Sequence, residues 1–348
     1  SSAASDVYKR QVFGLIIGGA LTSISWEWIF LINVPIGIFI VIAGHYVLGA
    51  VEGQRVPLDI WGAILATLGS TALVLGLTSA GKGASNPVFI VAMLVGIASL
   101  GAFFITQKHT ENGVLPLSLF TRRDRVFTFI AIFLLGAIMT TVAVFVALYV
   151  QTILKYTTLR AGLAFIPFAF ALALGAATAS KISMKWAPRW IILAGCIFMV
   201  IGFGWGTAIS EESTFWADIF PPTLIIGYGV GLVSIALTLS AVAGVKPIDV
   251  GPLTAISLVA QTLGGPIGLA FAGALAQSYT RHHGGADISV TEMNSVQLHA
   301  LGEGYLLTLF VCLGLAVVMG ILSALFIRFT VPDVVEGQKA NEAANDLP

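Results

Sequence analysis

The stretch VFTFIAIFLLGAIMTTVAVFVALYVQTIL, residues 126–154, contains no Asp, Glu, Lys or Arg. A helix needs about 20 consecutive apolar residues to cross the hydrocarbon core of a bilayer. A strand of a membrane barrel would be about ten residues long, with alternating polarity. Because this stretch is long and continuously apolar, it predicts a transmembrane α-helix.

Nine further apolar stretches indicate that this helix is one of many. None of the 17 basic and 17 acidic residues of the 348-residue chain falls inside any of the ten. Charged residues make up 10% of the chain, whereas a soluble domain averages about 25%. The predicted fold class is therefore an all-α polytopic membrane protein, and the lipid bilayer is an expected partner. The predicted spans are 12–25, 28–49, 60–79, 87–106, 126–154, 161–180, 190–209, 219–239, 251–276 and 305–327.

The connections between spans differ in positive charge. Cytoplasmic loops of membrane proteins carry an excess of Lys and Arg. The even-numbered connections and the C-terminus hold 11 such residues, and the odd-numbered connections hold Lys82, Lys155, Arg160 and Arg281. This bias predicts a cytoplasmic C-terminus in the cell membrane. The connection 277–304 is then a long, polar outer loop.

The chain divides at loop 107–125, which is basic and contains Pro116. Six spans follow this loop and four precede it, and six-span halves are typical of many secondary transporters. Residues 1–11 are polar and end abruptly at the first apolar stretch. We interpret them as a non-native or truncated leader.

Polar and aromatic residues within the spans are the candidates for a substrate cavity. Phe145 and Tyr149 are neighbours on one helix face, and such rings suit apolar or cationic compounds. Tyr228 and Gln261 lie in later spans. Each of the four has a second interpretation, because aromatic residues also pack against lipid and a membrane amide also bonds to a neighbouring helix.

Small residues and one histidine are further candidates. Gly264 and Gly268 lie on one helix face and allow close backbone approach, so span 251–276 is the favoured moving contact. His45 is the one histidine inside a span, and a proton relay there is a weaker hypothesis.

The sequence shows no pattern typical of an enzyme. There is no nucleophile with His and carboxylate partners at suggestive spacing, and no GxxxxGK[ST] motif for ATP. His282 and His283 have no Cys or carboxylate at ligand spacing, so a solvated loop is favoured over a metal site. We therefore expect no catalytic residue, no metal, no cofactor and, with zero net charge, no nucleic-acid partner.

Five motifs resemble one transporter family. WEWIFLINVPIG at 26–37 resembles a WRWIFLINVPIG segment, and GLIIGG at 14–19 resembles the antiporter motif GPxxGG. Further similarities are PLSLFTRRDRVF at 116–127, LRAGLAFIP at 159–167 and QTLGGPIGLA at 261–270. Both the segments and their order along the chain are similar to those of the fourteen-span drug:proton antiporters of the major facilitator superfamily, the EmrB/QacA type.

The resemblance implies a major facilitator fold lacking its four N-terminal helices. By that placement, 12–49 holds the last two helices of the N-terminal domain, 50–106 an extra central pair, 126–327 the C-terminal six-helix domain and 328–348 a cytoplasmic tail. The resemblance implies export of small amphipathic compounds or drugs in exchange for protons. It also implies a helix contact at Gly14, Gly18 and Gly19. It places spans 126–154 and 219–239, which hold Phe145, Tyr149 and Tyr228, at the cavity, and Gln261 is a further candidate for its lining.

Three departures from the family pattern bear on the mechanism. Leu15 stands at the motif's proline, Glu27 at a usual arginine, and Gln261 at the arginine of RQLGG. These departures weaken the expectation of proton exchange more than that of the fold. The alternatives are a truncated, non-transporting membrane protein and a facilitator that works without protons.

Overall fold

The computed structural model describes residues 25, 27, 31–47, 59–80, 86–108, 110, 120, 122–208, 218–285 and 292–345. Within these ranges the protein is helical and has no β-strand. The helices are α1 Asn33–Val47, α2 Ile60–Ala80, α3 Pro87–Gln107, α4 Arg123–Thr152, α5 Thr158–Ala164, α6 Ile166–Ile182, α7 Pro188–Gly206, α8 Phe220–Ala241, α9 Pro247–His282, α10 Ser295–Phe326 and α11 Val331–Asn345.

Eight segments of the described chain are long and apolar enough to cross a membrane, and α5 and α6 together make one of them. They correspond to the eight spans predicted from 60–79 onward, which confirms the all-α membrane fold. The short α1 lies within the predicted span 28–49, whereas residues 12–24 of the predicted span 12–25 lie outside the described residues.

The outer loop predicted at 277–304 is shorter in the structure, so the predicted bounds were wrong. Helix α9 continues through His282, and α10 begins at Ser295. Asn294 caps α10 in a reciprocal pair with Gln297, whose side chain accepts from the Asn294 backbone. Both helices therefore extend beyond their apolar stretches, because capping and backbone hydrogen bonds also sustain a helix through polar residues.

Helix packing forms two groups that share a core. Helix α8 packs against α6 and α7, while α4 packs against α9 and α10. Phe203, Met199 and Leu237 are fully buried in the core. At Gly264 a Cβ atom would overlap the carbonyl oxygen of Phe133 on α4. The small residues of α9 thus serve the close helix contact expected for this span.

Helices α2 and α3 form a hairpin that is attached to the rest through α2 and α9. Asp59 precedes α2 and accepts a hydrogen bond from the Gly62 backbone amide at 2.8 Å. The buried amide of Gln107, the last residue of α3, donates to the same carboxylate. This bond closes the base of the hairpin.

The segment 328–348, predicted as a tail, contains helix α11, which packs against α8 and α9. The Gly244 amide, in the turn between those helices, donates to the Asp333 carbonyl at 2.9 Å. Gly244 has a φ of +60°, a conformation that favours glycine. Both Thr330 donors, the hydroxyl and the amide, bond to the Asp333 carboxylate at 2.7 and 2.8 Å. The start of α11 is therefore fixed to the α8–α9 turn.

Candidate functional site

A cavity of about 600 Å³ lies between α2, α4, α9 and α10. This volume falls within the range of about 300–1,000 Å³ that is typical of sites for drug-sized ligands. The described residues that line it are Val74, Thr78, Val144, Phe145, Pro266, Leu269, Ala270, Gly273, Ala274, Ala276, Gln277, Thr280, Arg281, Gly285, Met293, Leu301 and Tyr305.

The body of the cavity is apolar. Phe145, which is 8% exposed, projects from α4 and lies with its ring centroid 5.7 Å from that of Tyr305 on α10. Leu269 and Gly273 line the cavity from α9, and Val74 lines it from the last turns of α2. An apolar guest would therefore exchange contact with water for contact with hydrocarbon and aromatic surface.

The polar end of the cavity lies at the end of α9. Gln277, Thr280 and Arg281 face it together, as their i, i+3 and i+4 spacing allows. The Thr280 hydroxyl donates to the Ala300 carbonyl at 3.3 Å and so ties α9 to α10. One residue earlier, the Tyr279 hydroxyl donates to the Glu303 carboxylate at 2.9 Å. These bonds hold the mouth of the cavity together.

A small space of about 30 Å³ adjoins the same aromatic residues. Phe145, Tyr149 and Tyr305 line it together with Ile219 and Leu309. Tyr149 is 7% exposed and lies one turn beyond Phe145 on α4. Two of the four predicted cavity residues, Phe145 and Tyr149, thus lie side by side in the structure.

The other two predicted cavity residues lie elsewhere in the bundle. Tyr228 on α8 packs edge-on against Phe198 of α7, with ring centroids 5.1 Å apart. Gln261 is half-buried on α9, and its backbone carbonyl meets Gly136 of α4. The ring contact of Tyr228 matches the packing interpretation that the sequence left open, whereas the contact given for Gln261 is made by its backbone and not by its side-chain amide.

Several candidates from the sequence fall outside what the structure describes. Gly14, Gly18 and Gly19 lie outside the described residues. The backbone of His45 belongs to α1, and its side chain is outside the description.

Cys196 on α7 and Cys312 on α10 are both buried and unpaired thiols. Among the residues that the structure describes, no three His, Cys, Asp or Glu side chains are grouped as metal ligands would be.

The polar end of the cavity was not predicted from the sequence. Gln277, Thr280 and Arg281 were placed in an outer loop because hydropathy falls after Ala276. Their helical spacing, followed by the Asn294–Gln297 capping pattern, is the signal that would have found them. Thr78 of α2 was missed for a different reason, since the sequence does not show that α2 packs beside α9.

Comparison with known proteins identifies the family. The model of the Major Facilitator Superfamily matches residues 11–269, well over half of the chain. The chain belongs to the Major Facilitator Superfamily.

Two relatives within the superfamily show how much of a related protein the chain covers. The chain is 39% identical to the uncharacterized MFS-type transporter EfpA of Mycobacterium tuberculosis, over 98% of this chain and 66% of EfpA. It is 31% identical to the cephamycin export protein CmcT of Amycolatopsis lactamdurans, over 74% of this chain and 54% of CmcT. The chain therefore spans less than two thirds of the length of these curated relatives.

A solved transporter supports the fold. The crystal structure of a bacterial homologue of the human lysosomal transporter Spinster, inward-facing and occupied, aligns with a TM-score of 0.51 and 16% identity. The alignment covers 79% of this chain and 67% of that structure. At this identity the similarity concerns the arrangement of the helices alone.

Proposed function

We propose that the protein exports small amphipathic compounds by alternating access and exchanges them for protons. The observation that carries this proposal is the apolar cavity beside Phe145, which has a polar end at Thr280 and Arg281. A guest with an apolar body and a polar group fits such a lining. Membership of the superfamily and similarity to a cephamycin export protein support export as the direction.

The proposed cycle rocks two helical domains about a binding site between them. Helices α4–α10 would be one of these domains, in the placement of a fourteen-span antiporter, with α2 and α3 as the extra central pair. The chain matches 66% of EfpA, so the cycle is proposed for a protein of the relatives' full length. In the proposed orientation the C-terminus is cytoplasmic, in the plasma membrane, and the Arg281 end of the cavity faces outward.

The proposed coupling of export to protons rests on the antiporter motifs in the sequence. Its alternatives are a facilitator that works without protons and a membrane protein that transports nothing. The three differ in how the movement of a substrate responds to a pH gradient. A gradient-driven antiporter moves a substrate against its own concentration gradient, whereas a facilitator only equalises the two sides.

Efflux from preloaded cells tests this proposal. Phenylnaphthylamine is a neutral, apolar dye that fluoresces inside membranes, so its loss can be followed continuously. We expect faster efflux from cells that contain a protein of the relatives' full length carrying this sequence than from cells that contain its Gly273→Leu variant. Efflux should slow when a protonophore collapses the pH gradient. An efflux rate that the protonophore does not change would support the facilitator. An efflux rate equal to that of cells without the protein would contradict transport altogether.

A further inference from the structure

We infer that the turn between α6 and α7 binds the head group of an anionic phospholipid. Residues 181–190, KISMKWAPRW, carry three cations and two tryptophans. The turn joins two segments that are long and apolar enough to cross a membrane, so it lies at the level of the lipid head groups. This surface belongs to other helices than those that line the cavity, and the inference does not depend on the proposed export.

Backbone hydrogen bonds fix the shape of this turn. The amides of Lys185 and Trp186 both donate to the Ile182 carbonyl at 2.9 Å, so the backbone keeps its helical path just past the end of α6. Lys181 and Lys185, four residues apart and both exposed, therefore share one face. Ser183, between them, is 1% exposed and packs into the bundle. The turn thus presents two lysines outward from a buried anchor.

Two exposed tryptophans belong to the same surface. Trp186 is 57% exposed and Trp190 is 52% exposed. Tryptophan is enriched at membrane–water interfaces, where its ring lies among the head groups. The guanidinium carbon of Arg189 lies 5.1 Å from the centroid of the Trp190 ring. This cation–π contact holds Arg189 beside an interfacial ring, and the planar donors of a guanidinium match the oxygens of a phosphate.

The cations of the turn have no acidic neighbour along the chain. No Asp or Glu occurs in residues 125–210. Within the part of the chain that the structure describes, none of the three cations forms an ion pair with a carboxylate. The start of α4 differs, because Arg122 lies 3.5 Å from the Asp124 carboxylate. A cluster of uncompensated cations at a membrane surface attracts anionic lipids, whose phosphate supplies the opposite charge.

Stabilisation of the helices explains only part of this charge. Lys181 lies in the last turn of α6, where the partial negative charge of the helix end favours a cation. Arg189 lies in the first turn of α7, where the partial positive charge of the helix end disfavours one. An anionic head group beside Arg189 would offset this unfavourable interaction.

A simpler explanation is that the three cations only orient the chain, since cytoplasmic loops are rich in Lys and Arg. That role belongs to membrane insertion and needs no lipid bound to the folded protein. The two roles therefore differ in a measurable property. Only the binding role predicts that the folded protein prefers an anionic lipid to a neutral lipid with the same acyl chains.

Native mass spectrometry of the full chain in a mild detergent measures this preference. The probes are dioleoyl phosphatidylglycerol, which is anionic, and dioleoyl phosphatidylcholine, which carries the same chains and no net charge. The triple variant combines Lys181→Gln, Lys185→Gln and Arg189→Gln. The preference is the ratio of the two binding constants, so a general loss of lipid binding cancels.

The matched control combines Arg123→Gln, Lys246→Gln and Lys339→Gln. These are three exposed cations at the same end of the bundle, at the start of α4, in the turn before α9 and on α11. Each has an Asp or Glu within three residues of it in the sequence. The control therefore changes the net charge as the triple variant does, but it leaves the α6–α7 turn intact.

We expect each single replacement in the turn to lower the preference for phosphatidylglycerol about fivefold and the triple variant to lower it about a hundredfold. The control should keep the preference of the wild type, and Lys185→Arg should keep it too. Unchanged phosphatidylcholine binding would show that the triple variant is folded; if it does not fold, the exposed single variant Lys185→Gln carries the test. A preference equal to that of the wild type, or an equal loss in the control, would overturn the inference.

Two further measurements locate the lipid and distinguish it from a soluble anion. Phosphatidylglycerol with brominated chains quenches the fluorescence of a tryptophan that it contacts. In phosphatidylcholine nanodiscs it should quench the wild type more than brominated phosphatidylcholine does, and the triple variant should lose this excess. An excess that persists would contradict binding at the turn. Glycerol phosphate should not displace the lipid, and displacement would assign the surface to a soluble phosphate instead.

Discussion

Filling the cavity at Gly273 is expected to weaken amphiphile binding about a hundredfold. Gly273 lines the cavity, and among the described residues a Cβ atom added there would meet only the Phe145 ring, at 3.6 Å. That distance is an ordinary van der Waals contact, so Gly273→Leu can be accommodated without moving the backbone. The new side chain would then project into space that a guest would otherwise occupy.

The magnitude follows from the hydrocarbon that is displaced. A leucine side chain brings four carbon atoms into the cavity and excludes about as many from the guest. Each buried methylene contributes about 0.8 kcal/mol, so the loss is about 3 kcal/mol. At about 1.4 kcal/mol per tenfold change, this corresponds to roughly a hundredfold increase in Kd.

The matched control is Gly314→Leu. Gly314 lies on α10 and is exposed, and no heavy atom of the described part of the chain lies within 4 Å of a Cβ added there. Both variants replace glycine in a helix, so the gain of about 1 kcal/mol in helix propensity is common to them. Any difference in binding therefore reports the position of the leucine.

The assay is titration of phenylnaphthylamine into nanodiscs that contain each variant, with empty nanodiscs as background. The Gly314→Leu variant should bind as the wild type does. If Gly273→Leu bound the dye as tightly as Gly314→Leu does, the reasoning from the cavity would be refuted. A fall in binding for both variants would mean that the leucine acts through the fold.

Three further perturbations follow from the packing. Gly264→Val should lower the melting temperature of the protein in a thermal scan, because the valine Cβ would overlap a backbone carbonyl of α4. An unchanged melting temperature would contradict the close helix contact. Tyr279→Phe should remove the hydrogen bond to Glu303 and speed hydrogen exchange of the amides in the last turn of α9. The increase should be well under tenfold, because Glu303 is partly exposed. An unchanged exchange rate would mean that this bond does not stabilise the helix end. Hydrogen bonds from the Thr330 hydroxyl and amide hold the pKa of Asp333 below its usual value, so the stabilisation of α11 by the Asp333 carboxylate should persist above about pH 4 and be lost as the pH falls through the lowered pKa. Asp333→Asn should speed hydrogen exchange of the α11 amides already at neutral pH. Exchange as slow as in the wild type would count against this role of Asp333.

The transmembrane helices could be predicted closely from the sequence because the bilayer restricts what can span it. The predicted span 60–79 corresponds to α2, Ile60–Ala80, and 87–106 corresponds to α3, Pro87–Gln107. Backbone groups in lipid must bond internally, so a long apolar stretch has essentially one available structure. This constraint ends at the membrane surface, where hydropathy no longer marks the end of a helix.

The errors lie where that constraint ends. The last turns of α9 and the first turns of α10 are polar, and they fold as helix through capping and mutual contact. Helix α11 was missed because its packed face consists of small residues spaced three apart, Val334, Gly337 and Ala340, in an otherwise polar segment. Such a weak pattern becomes a packed face only when the α8–α9 turn lies beneath it.

The cavity could be predicted only in part, since it depends on which helices are neighbours. Phe145 and Tyr149 were predicted from their shared helix face and do line adjoining spaces. The Tyr228 ring packs against Phe198 of α7, and the backbone of Gln261 meets Gly136 of α4. Helix type and length are local properties of the sequence, whereas a cavity is a property of the packing between distant segments.

Protection of a cysteine at position 274 tests most directly whether the cavity binds amphiphiles. Ala274 lines the cavity, and both natural cysteines are buried, so an Ala274→Cys variant can be labelled selectively by a membrane-permeant maleimide. Lys339→Cys, on the exposed face of α11 and outside the apolar spans, is the control. We expect phenylnaphthylamine to slow labelling at position 274 and to leave the labelling rate at position 339 unchanged. Equal labelling rates with and without the dye at position 274, under conditions where the dye is bound, would contradict the cavity as the substrate site.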